Sequence, residues 1–271
     1  MANNNKRCKK RPFIVYRDEK NDEFSTAEID AKKIDGSYKY ERSEGKSAFA
    51  HFFWYRIVAI PLAFIYLKIR FRHKIVGKEK LKGRSEKGRF IYGNHTQITA
   101  DALIPTFVNS LCDTYVIVHA NNVSMPFLGR VTPYMGALPL PDDMAATRNF
   151  SDIIKKRIFQ GKSVVIYPEA HIWPYYTRIR PFGDDSFAYP VKYGTPVFCF
   201  TNTYQKKRFG AHPRIVTYID GPFYSDSELS AREQRKKLRE QVYSAMSERS
   251  KQSDVEWIKY IRAEEKVEES I

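Results

Sequence analysis

Residues 90–101 read FIYGNHTQITAD, and the fold is inferred outward from this stretch. Its first three residues are apolar and predict a short buried strand. A polar turn that contains His95 follows, and an apolar pattern in helical spacing predicts a helix from Asp101 to residue 111. In open α/β sheets, ligands bind at the end of a strand where the chain turns into a helix. The sequence therefore predicts that this turn faces a cleft.

His95 and Asp101 are candidates for a catalytic dyad in that cleft. The ordinary pKa of histidine lies near the working pH of a cell. A nearby carboxylate can hold one ring nitrogen and leave the other free to act as a general base. The alternative is a loop histidine with a structural role only. The remaining histidines outside the motifs discussed below have no partner pattern; they are His51, His73, His119 and His212.

Strands and helices alternate along the rest of the chain. Further strands are predicted at 115–118, 163–167, 196–200 and 214–219. Asp142 or Asp143 is the expected N-cap of a helix that ends at Gly161. Ser230 and Glu233 form a capping-box pattern for the last helix. This alternation predicts an α/β protein, a single-domain sandwich of a mixed, largely parallel sheet flanked by helices.

The composition excludes wholesale disorder and a polytopic membrane protein. The chain has 271 residues, of which 42% are hydrophobic and 28% are charged, and its mean hydropathy is −0.52. An excess of 46 Lys and Arg over 31 Asp and Glu indicates an anionic partner: nucleic acid, an anionic bilayer or phosphorylated substrates. The three cysteines show neither disulfide nor zinc spacing, which favours a reducing, cytosolic environment.

The most apolar stretch, residues 47–69, reads SAFAHFFWYRIVAIPLAFIYLKI. A membrane span needs about 20 apolar residues, and this stretch is interrupted by Arg56 and Pro61. We therefore expect a peripheral or half-inserted membrane-docking helix, with a core helix and a full span as alternatives. Aromatic side chains suited to the headgroup level are Trp54, Tyr55 and Tyr66.

A dense basic stretch follows directly, at residues 68–89. It has ten cations against two acids, a net charge of +8 and more than half of the whole excess. Such a run beside an apolar helix is typical of an anionic membrane surface, whereas a nucleic-acid site would carry stacking aromatics or a recognition helix. We therefore expect no nucleic-acid partner. Alternation over residues 68–75 predicts a strand with one solvated face.

These observations divide the chain into four predicted regions. Residues 1–46 are a polar, loosely packed N-terminal arm, and 47–69 are the membrane-associated helix. Residues 70–250 are the catalytic domain, and 251–271 are a C-terminal tail.

Four ordered blocks of sequence resemble those of a known family. The first contains Asn94, His95 and Asp101, and the second is the strand 136–140, preceded by PFLG at 126–129. The third, YPEAHI at 167–172, is similar to the Phe-Pro-Glu-Gly-Thr-Arg block of the family. The fourth is an apolar strand after the Gly-Thr-Pro turn at 194–196. Over residues 70–220 the chain resembles the 1-acylglycerol-3-phosphate acyltransferase family of glycerolipid acyltransferases.

The resemblance implies an O-acyltransferase that moves a fatty acyl group from acyl-CoA or acyl-carrier protein to the hydroxyl of 1-acylglycerol-3-phosphate. The product would be phosphatidic acid, for phospholipid synthesis at the cytoplasmic face of the cell membrane. His95 would act as general base, oriented by Asp101, without a covalent intermediate, cofactor or metal. The resemblance implies that Glu169 helps to bind the acceptor, and His171 is a further candidate in the cleft. Asn94 and Thr96, beside His95, are also candidate substrate-binding residues. The oligomeric state is left open.

The chain also departs from the family pattern. Five residues separate His95 from Asp101, where the family has four. The second and third blocks end in an Arg associated with the acceptor's phosphate, but Pro141 and Ile172 occupy these positions. Arg130, Arg178 and Arg180 are candidate substitutes. The alternatives are the same chemistry on another lysolipid or on glycerol-3-phosphate, and a catalytically inactive membrane-surface binding protein.

Overall fold

The structure is a computed structural model that describes residues 12–24, 29–82, 87–109, 112–210 and 212–264. Its strands are β1 (Phe13–Tyr16), β2 (Lys74–Val76), β3 (Arg89–Gly93), β4 (Thr114–Val118), β5 (Ala137–Pro139), β6 (Ser163–Ile166), β7 (Val197–Gln205), β8 (Arg214–Phe223) and β9 (Lys259–Arg262). Its α-helices are α1 (Gly45–Phe71), α2 (Ala100–Val108), α3 (Asn121–Ser124), α4 (Leu128–Val131), α5 (Met144–Phe159), α6 (Ala188–Tyr193) and α7 (Ala231–Ser250).

Seven strands form the main sheet, in the order β2-β8-β7-β3-β6-β4-β5. The β7–β8 pair is antiparallel, and the other pairs in this sheet are parallel. The described residues therefore confirm the predicted fold class, a mixed and largely parallel sheet flanked by helices. The predicted caps are also present, because Asp143 caps α5 and Ser230 forms a capping box with Glu233 at α7.

Helices cover both faces of the sheet, and β3 shows why. Its side chains alternate, so Phe90 and Tyr92 lie in one apolar cluster and Ile91 lies in the other. The first cluster is completed by residues of α5 and α7, and the second by residues of α1 and α2. A strand that is buried on both faces reads as a continuous apolar run, as residues 90–92 do.

Helix α1 is 27 residues long, and by length and composition it could cross a membrane, since its most apolar 18-residue window has a mean hydropathy of 1.6. The stretch Phe52–Ala59 is π-helical, and such local adjustment accommodates a proline such as Pro61 within an apolar helix. Only 22% of its most apolar window is buried against the rest of the chain. Its exposed large apolar residues are Phe49, Phe52, Phe53, Ile57, Leu62, Phe64, Ile65 and Ile69.

His51, Tyr55 and Arg56, in the first half of α1, bond to the rest of the protein. Arg56 Nη2 lies 2.5 Å from Asp113 Oδ1, and His51 Nδ1 bonds with the carbonyl oxygen of Tyr134 at 2.7 Å. Tyr55 is buried and its hydroxyl oxygen accepts the backbone N–H of Thr114. The prediction of Tyr55 as a headgroup anchor was therefore wrong, because this side chain fastens α1 to the sheet.

The predicted strand over residues 68–75 was also wrong in its first half. Helix α1 continues to Phe71 because Leu67 and Phe71, four residues apart, are both buried in the core. Arg72 then adopts a left-handed conformation, with φ of 48°, and the short strand β2 follows. The apparent alternation came from cations on the exposed side of the last helical turn.

The N-terminal and C-terminal segments are more ordered than predicted within the described residues. β1 and β9 pair in a parallel two-stranded sheet. Ile34 and Tyr40 are buried in the core beside α5. The backbone N–H of Ile34 donates to Asp142 Oδ2 at 2.6 Å. This hydrogen bond helps to hold the segment around Ile34, which has few apolar residues, against the domain. The expectation of a loosely packed arm was wrong for this part of the chain.

Candidate active site

The site lies where β3 and β6 end side by side. Tyr92 of β3 pairs with Ile166 of β6, and the loops after both strands leave the sheet at the same edge. The first loop carries His95 and leads into α2. Gly93 permits close packing at this point, since a Cβ there would lie 2.2 Å from the ring of Phe200. Adjacent parallel strands therefore bring together two sequence blocks that are 70 residues apart.

His95 and Asp101 form the predicted pair. Nδ1 of His95 lies 3.0 Å from Oδ2 of Asp101. The same oxygen accepts the backbone N–H groups of Thr96, at 2.7 Å, and Gln97, at 2.8 Å. The other oxygen accepts from Nδ2 of Asn202 at 3.2 Å. The Asp101 side chain is 1% exposed and that of His95 is 18% exposed, so the carboxylate is enclosed while the imidazole is accessible.

These partners fix the tautomer of His95. A carboxylate oxygen only accepts hydrogen bonds, so Nδ1 carries the proton and Nε2 is the free acceptor. Within the described residues, Nε2 has no hydrogen-bond partner. The additional residue in the His95–Asp101 spacing is absorbed because Asp101 is the second residue of α2 and its side chain folds back over the loop. The dyad geometry is therefore present despite the departure in spacing.

Tyr167, the first residue after β6, supports the dyad. Its ring stacks on the imidazole of His95, with 4.4 Å between centroids and 18° between planes. Its hydroxyl donates to the backbone carbonyl of Asp101. Burial, together with the Asp101 charge, raises the pKa of Tyr167 well above its usual range, so this hydroxyl keeps its proton. Sequence reasoning assigned Tyr167 to a strand end and gave it no role.

Glu169 is buried at the centre of the site and connects its two loops. Oε2 accepts the backbone N–H of His95 at 2.9 Å, and Oε1 accepts that of Arg180 at 2.8 Å. Arg180 Nη2 lies 3.8 Å from Oε2 and bonds to the carbonyl oxygens of Glu169 and His171. Burial raises the pKa of Glu169, and the charge of Arg180 is the strongest influence in the opposite direction. Both side chains bond to the protein, and their part in substrate binding stays a prediction.

Asn94 and Thr96 are also buried, with protein partners. The Asn94 side chain pairs with the backbone N–H and carbonyl of Asn202, at 2.7 and 3.1 Å, and so extends the β3–β7 ladder beyond the end of β3. Thr96 Oγ1 accepts from the hydroxyl of Tyr204 at 2.7 Å. Both residues shape the loop around His95, and a direct contact with substrate stays a prediction for each.

The structure separates the remaining predicted binding residues. His171 is half-buried, with Nδ1 3.3 Å from Glu23 Oε2. Arg178 is exposed and its guanidinium lies over the ring of Tyr176. Arg130 is also exposed, on α4 at the β5 side of the sheet, where it lines a pocket of about 240 Å³ that also contains Lys32 and Arg42. The three arginines proposed as substitutes therefore do not form one cluster.

Sequence reasoning also missed Asn202 and His73. Asn202 lies within the apolar strand β7, and the described part of the chain gives it contacts with both Asp101 and Asn94. A polar residue in the middle of a buried strand was the available signal, since such groups require internal partners. His73, to which the sequence gave no partner pattern, bonds to Thr217 at 2.8 Å.

The described residues contain no group of three or more His, Cys, Asp and Glu arranged to hold a metal ion. They also place no Ser, Thr or Cys side chain in hydrogen-bonding contact with His95. Cys199 is buried in β7 and burial raises the pKa of its thiol, which makes it a core residue.

No protein-family profile matches the sequence, and no curated protein matches it. Among solved structures, the chain is similar to the crystal structure of the 1-acyl-sn-glycerophosphate (LPA) acyltransferase PlsC from Thermotoga maritima. The match has a TM-score of 0.49 and 19% sequence identity, and it covers 70% of this chain and 76% of that chain. Likeness at this level concerns the path of the chain and says nothing about substrate.

Proposed function

We propose that this chain is an O-acyltransferase that transfers a fatty acyl group from an acyl thioester to the hydroxyl of a lysolipid. The observation that carries the proposal is the His95–Asp101 pair, whose Nδ1–Oδ2 contact leaves Nε2 free on a partly exposed ring. A free, oriented imidazole nitrogen is what the removal of a proton from a hydroxyl requires. The motif order around this pair, which resembles glycerolipid acyltransferases, supports the same chemistry.

In the proposed reaction the acceptor hydroxyl attacks the thioester carbonyl while Nε2 of His95 takes its proton. An ester C–O bond forms and the C–S bond breaks. The proton then passes to the departing thiolate, whose conjugate acid has a pKa of about 8.5. Asp101 holds the imidazole in its Nδ1–H tautomer and stabilises the imidazolium that forms, as the Asp does in a Ser-His-Asp triad.

Direct attack is favoured over a covalent acyl-enzyme. A covalent route needs a nucleophilic side chain within reach of the base. In the part of the chain that the structure describes, no hydroxyl or thiol side chain bonds to His95, and the buried Cys199 has a raised pKa. The acyl group is therefore proposed to pass in one displacement, with acyl-CoA or acyl-carrier protein as co-substrate and no resident cofactor.

The membrane is the proposed location of the reaction. Helix α1 exposes a broad apolar surface, while Arg56 pairs with Asp113 of the domain. A helix with a broad apolar surface, an arginine paired with its own domain and exposed cations at its last turn suits half-insertion better than a full span. The exposed cations of the following stretch, such as Lys74 and Lys82, suit the anionic cytoplasmic face.

The acceptor is proposed to be 1-acylglycerol-3-phosphate, on the strength of the resemblance. The separation of Arg130 from Arg180, and the burial of Arg180, leave the cations that would bind its phosphate unassigned. Other lysolipids and glycerol-3-phosphate therefore belong in the test.

The test is a matrix of acyl-CoA and acyl-carrier protein donors with 1-acylglycerol-3-phosphate, glycerol-3-phosphate and lysophospholipids of other head groups. We expect one combination to give product. In that combination His95→Ala should lower kcat about 10²–10⁴-fold, the usual share of a general base. His119→Ala removes an exposed histidine outside the site and serves as the matched control. Undiminished transfer by His95→Ala, or no transfer with any combination, would contradict the proposal.

A further inference from the structure

A chain of buried hydrogen bonds leads away from Asp101 across the sheet. Asn202 Nδ2 donates to Asp101 Oδ1 at 3.2 Å, and Thr217 Oγ1 donates to Asn202 Oδ1 at 2.6 Å. His73 Nε2 lies 2.8 Å from Thr217 Oγ1. Asn202, Thr217 and His73 are 1%, 0% and 5% exposed. Four buried polar side chains are thus joined end to end.

The topology of the sheet explains how these residues meet. Asn202 and Thr217 are register partners on β7 and β8, and Ile75 of β2 pairs with Thr217 from the other side. His73 directly precedes β2. The strands β2, β8, β7 and β3 are consecutive in the sheet. The hydrogen bonds therefore run from His73, just before β2, through β8 and β7 to Asp101 of α2, the helix that follows β3.

The directions of the bonds are forced. The Asp101 carboxylate only accepts, so the amide NH₂ of Asn202 must face it and Oδ1 of Asn202 must face Thr217. The Thr217 hydroxyl has one proton and donates it to that oxygen, so the hydroxyl oxygen must accept a hydrogen bond from His73. Nε2 of His73 therefore carries a proton, as it does both in the neutral Nε2–H tautomer and in the charged ring. Burial, assisted by the charges of Lys68 and Arg214, lowers the pKa of His73 to about 4, which agrees with a neutral ring.

We propose that Asn202, Thr217 and His73 are positioning residues that fix the orientation of the Asp101 carboxylate and, through it, the catalytic tautomer of His95. This inference rests on the proposed function for its kinetic consequence. Without the Thr217 hydroxyl, the Asn202 amide could rotate by half a turn and present an oxygen to the carboxylate. Asp101 would then lose a donor and face a like partial charge, and its hold on the His95 Nδ1 proton would weaken.

The kinetic test uses Thr217→Val, which removes the hydroxyl and keeps the shape. We expect kcat to fall on the order of tenfold, the effect of losing one hydrogen bond in a chain that ends on a charge, with KM unchanged. Thr217→Ser should restore the rate. Thr203→Val is the matched control. Thr203 is equally buried in β7, but its hydroxyl donates to the carbonyl oxygen of Val216, which is not part of the hydrogen-bond series from His73 to Asp101. Equal losses of kcat in the two valine variants would overturn the proposal.

A second measurement is independent of turnover. In the ¹⁵N-histidine-labelled protein in detergent micelles, long-range ¹H–¹⁵N spectra distinguish the two neutral tautomers of each ring. We expect the Nε2–H form for His73 and the Nδ1–H form for His95. Thr217→Val should shift the His95 ring signals, whereas Thr203→Val should leave them unchanged. An Nδ1–H form of His73, or no response of His95 to Thr217→Val, would contradict the inference even if the acyl-transfer proposal fails by itself.

Discussion

Nδ1 of His95 lies 3.0 Å from Oδ2 of Asp101, although five residues separate the two in sequence. The carboxylate also accepts two backbone N–H groups of the intervening loop, so the loop closes around the same oxygen. We expect Asp101→Asn to reduce kcat by about 10⁴, the cost of the equivalent change in a Ser-His-Asp triad. The amide lacks the charge that stabilises the imidazolium, and its NH₂ group would face either Nδ1 of His95 and two backbone N–H groups or the NH₂ of Asn202.

Steady-state kinetics with the productive donor and acceptor would measure this loss. Asp152→Asn, in an acidic residue of α5 outside the site, is the control. A rate within threefold of the wild type in Asp101→Asn would mean that Asp101 does not orient the base.

Arg180 and Glu169 form a buried ion pair, with side chains 0% and 1% exposed. We expect Arg180→Met to lower the free energy of unfolding by about 3–5 kcal/mol, because it leaves an uncompensated buried carboxylate. Arg178→Met should cost less than about 1 kcal/mol, since Arg178 is exposed. Denaturant titrations of both variants would test this. A smaller loss in Arg180→Met than in Arg178→Met would contradict a stabilising role of the buried ion pair.

His73 makes stability depend on pH. Its pKa is about 4 in the folded protein against an ordinary 6.5, so between these values the unfolded chain binds a proton that the folded protein does not. Stability is therefore lost as the pH falls from 6.5 to 4, by up to about 3 kcal/mol from this group. His73→Gln keeps a donor for Thr217 but cannot titrate. In this variant the free energy of unfolding should therefore change less between pH 6.5 and 4. If the free energy of unfolding fell by the same amount between pH 7 and 4.5 in the wild type and in His73→Gln, His73 would not be the source of this pH dependence.

The exposed side of α1 is the expected membrane contact. Phe49, Ile57 and Ile69 are 79%, 53% and 77% exposed. Changing all three to Ser should weaken partition into phosphatidylcholine–phosphatidylglycerol vesicles by at least about 100-fold, since each apolar side chain contributes about 1.5–3 kcal/mol when fully buried.

Substitution is preferable to deletion for this test, because α1 also supplies Leu67 and Phe71 to the core. The control is a double change to Ser at Met144 and Phe159, which are exposed on α5, on the other face of the sheet. Vesicle flotation would compare the two variants. If the α1 and α5 variants lost vesicle binding equally, or if neither lost it, a membrane contact through α1 would be contradicted.

Ala170 follows the buried Glu169 with φ of 62°, a left-handed conformation that costs a non-glycine residue about 1–2 kcal/mol. The similar family block has Gly at this position. We expect Ala170→Gly to stabilise the protein by about 0.5–1 kcal/mol after the entropy of the unfolded glycine is deducted. Thermal unfolding should show Tm higher by about 1–4 °C. Ala102→Gly, within helix α2, is the control and should lower Tm. A lower Tm in Ala170→Gly as well would mean that Ala170 is not strained.

Two elements of the fold could be predicted from sequence because their signals are local. The apolar run at 90–92 and the cap at Asp143 depend only on neighbours in the chain, and both were confirmed. The support from Asn202 and Thr217 could not be predicted, because it depends on which strands are adjacent in the sheet. The prediction of a strand from residue 68 was wrong because burial of Phe71 in the core extends helix α1 to that residue.

Trp173 connects the catalytic loop to both terminal segments. Its backbone N–H donates to the carbonyl oxygen of His95, its indole N–H donates to the carbonyl oxygen of Asp22, and its ring lies against Tyr16 and Tyr260. Tyr260 belongs to β9, which the ribosome makes long after α1. A nascent chain therefore presents the apolar helix α1 before the last support of the His95 loop exists. On the proposed function, contact with the bilayer can then precede enzymatic competence.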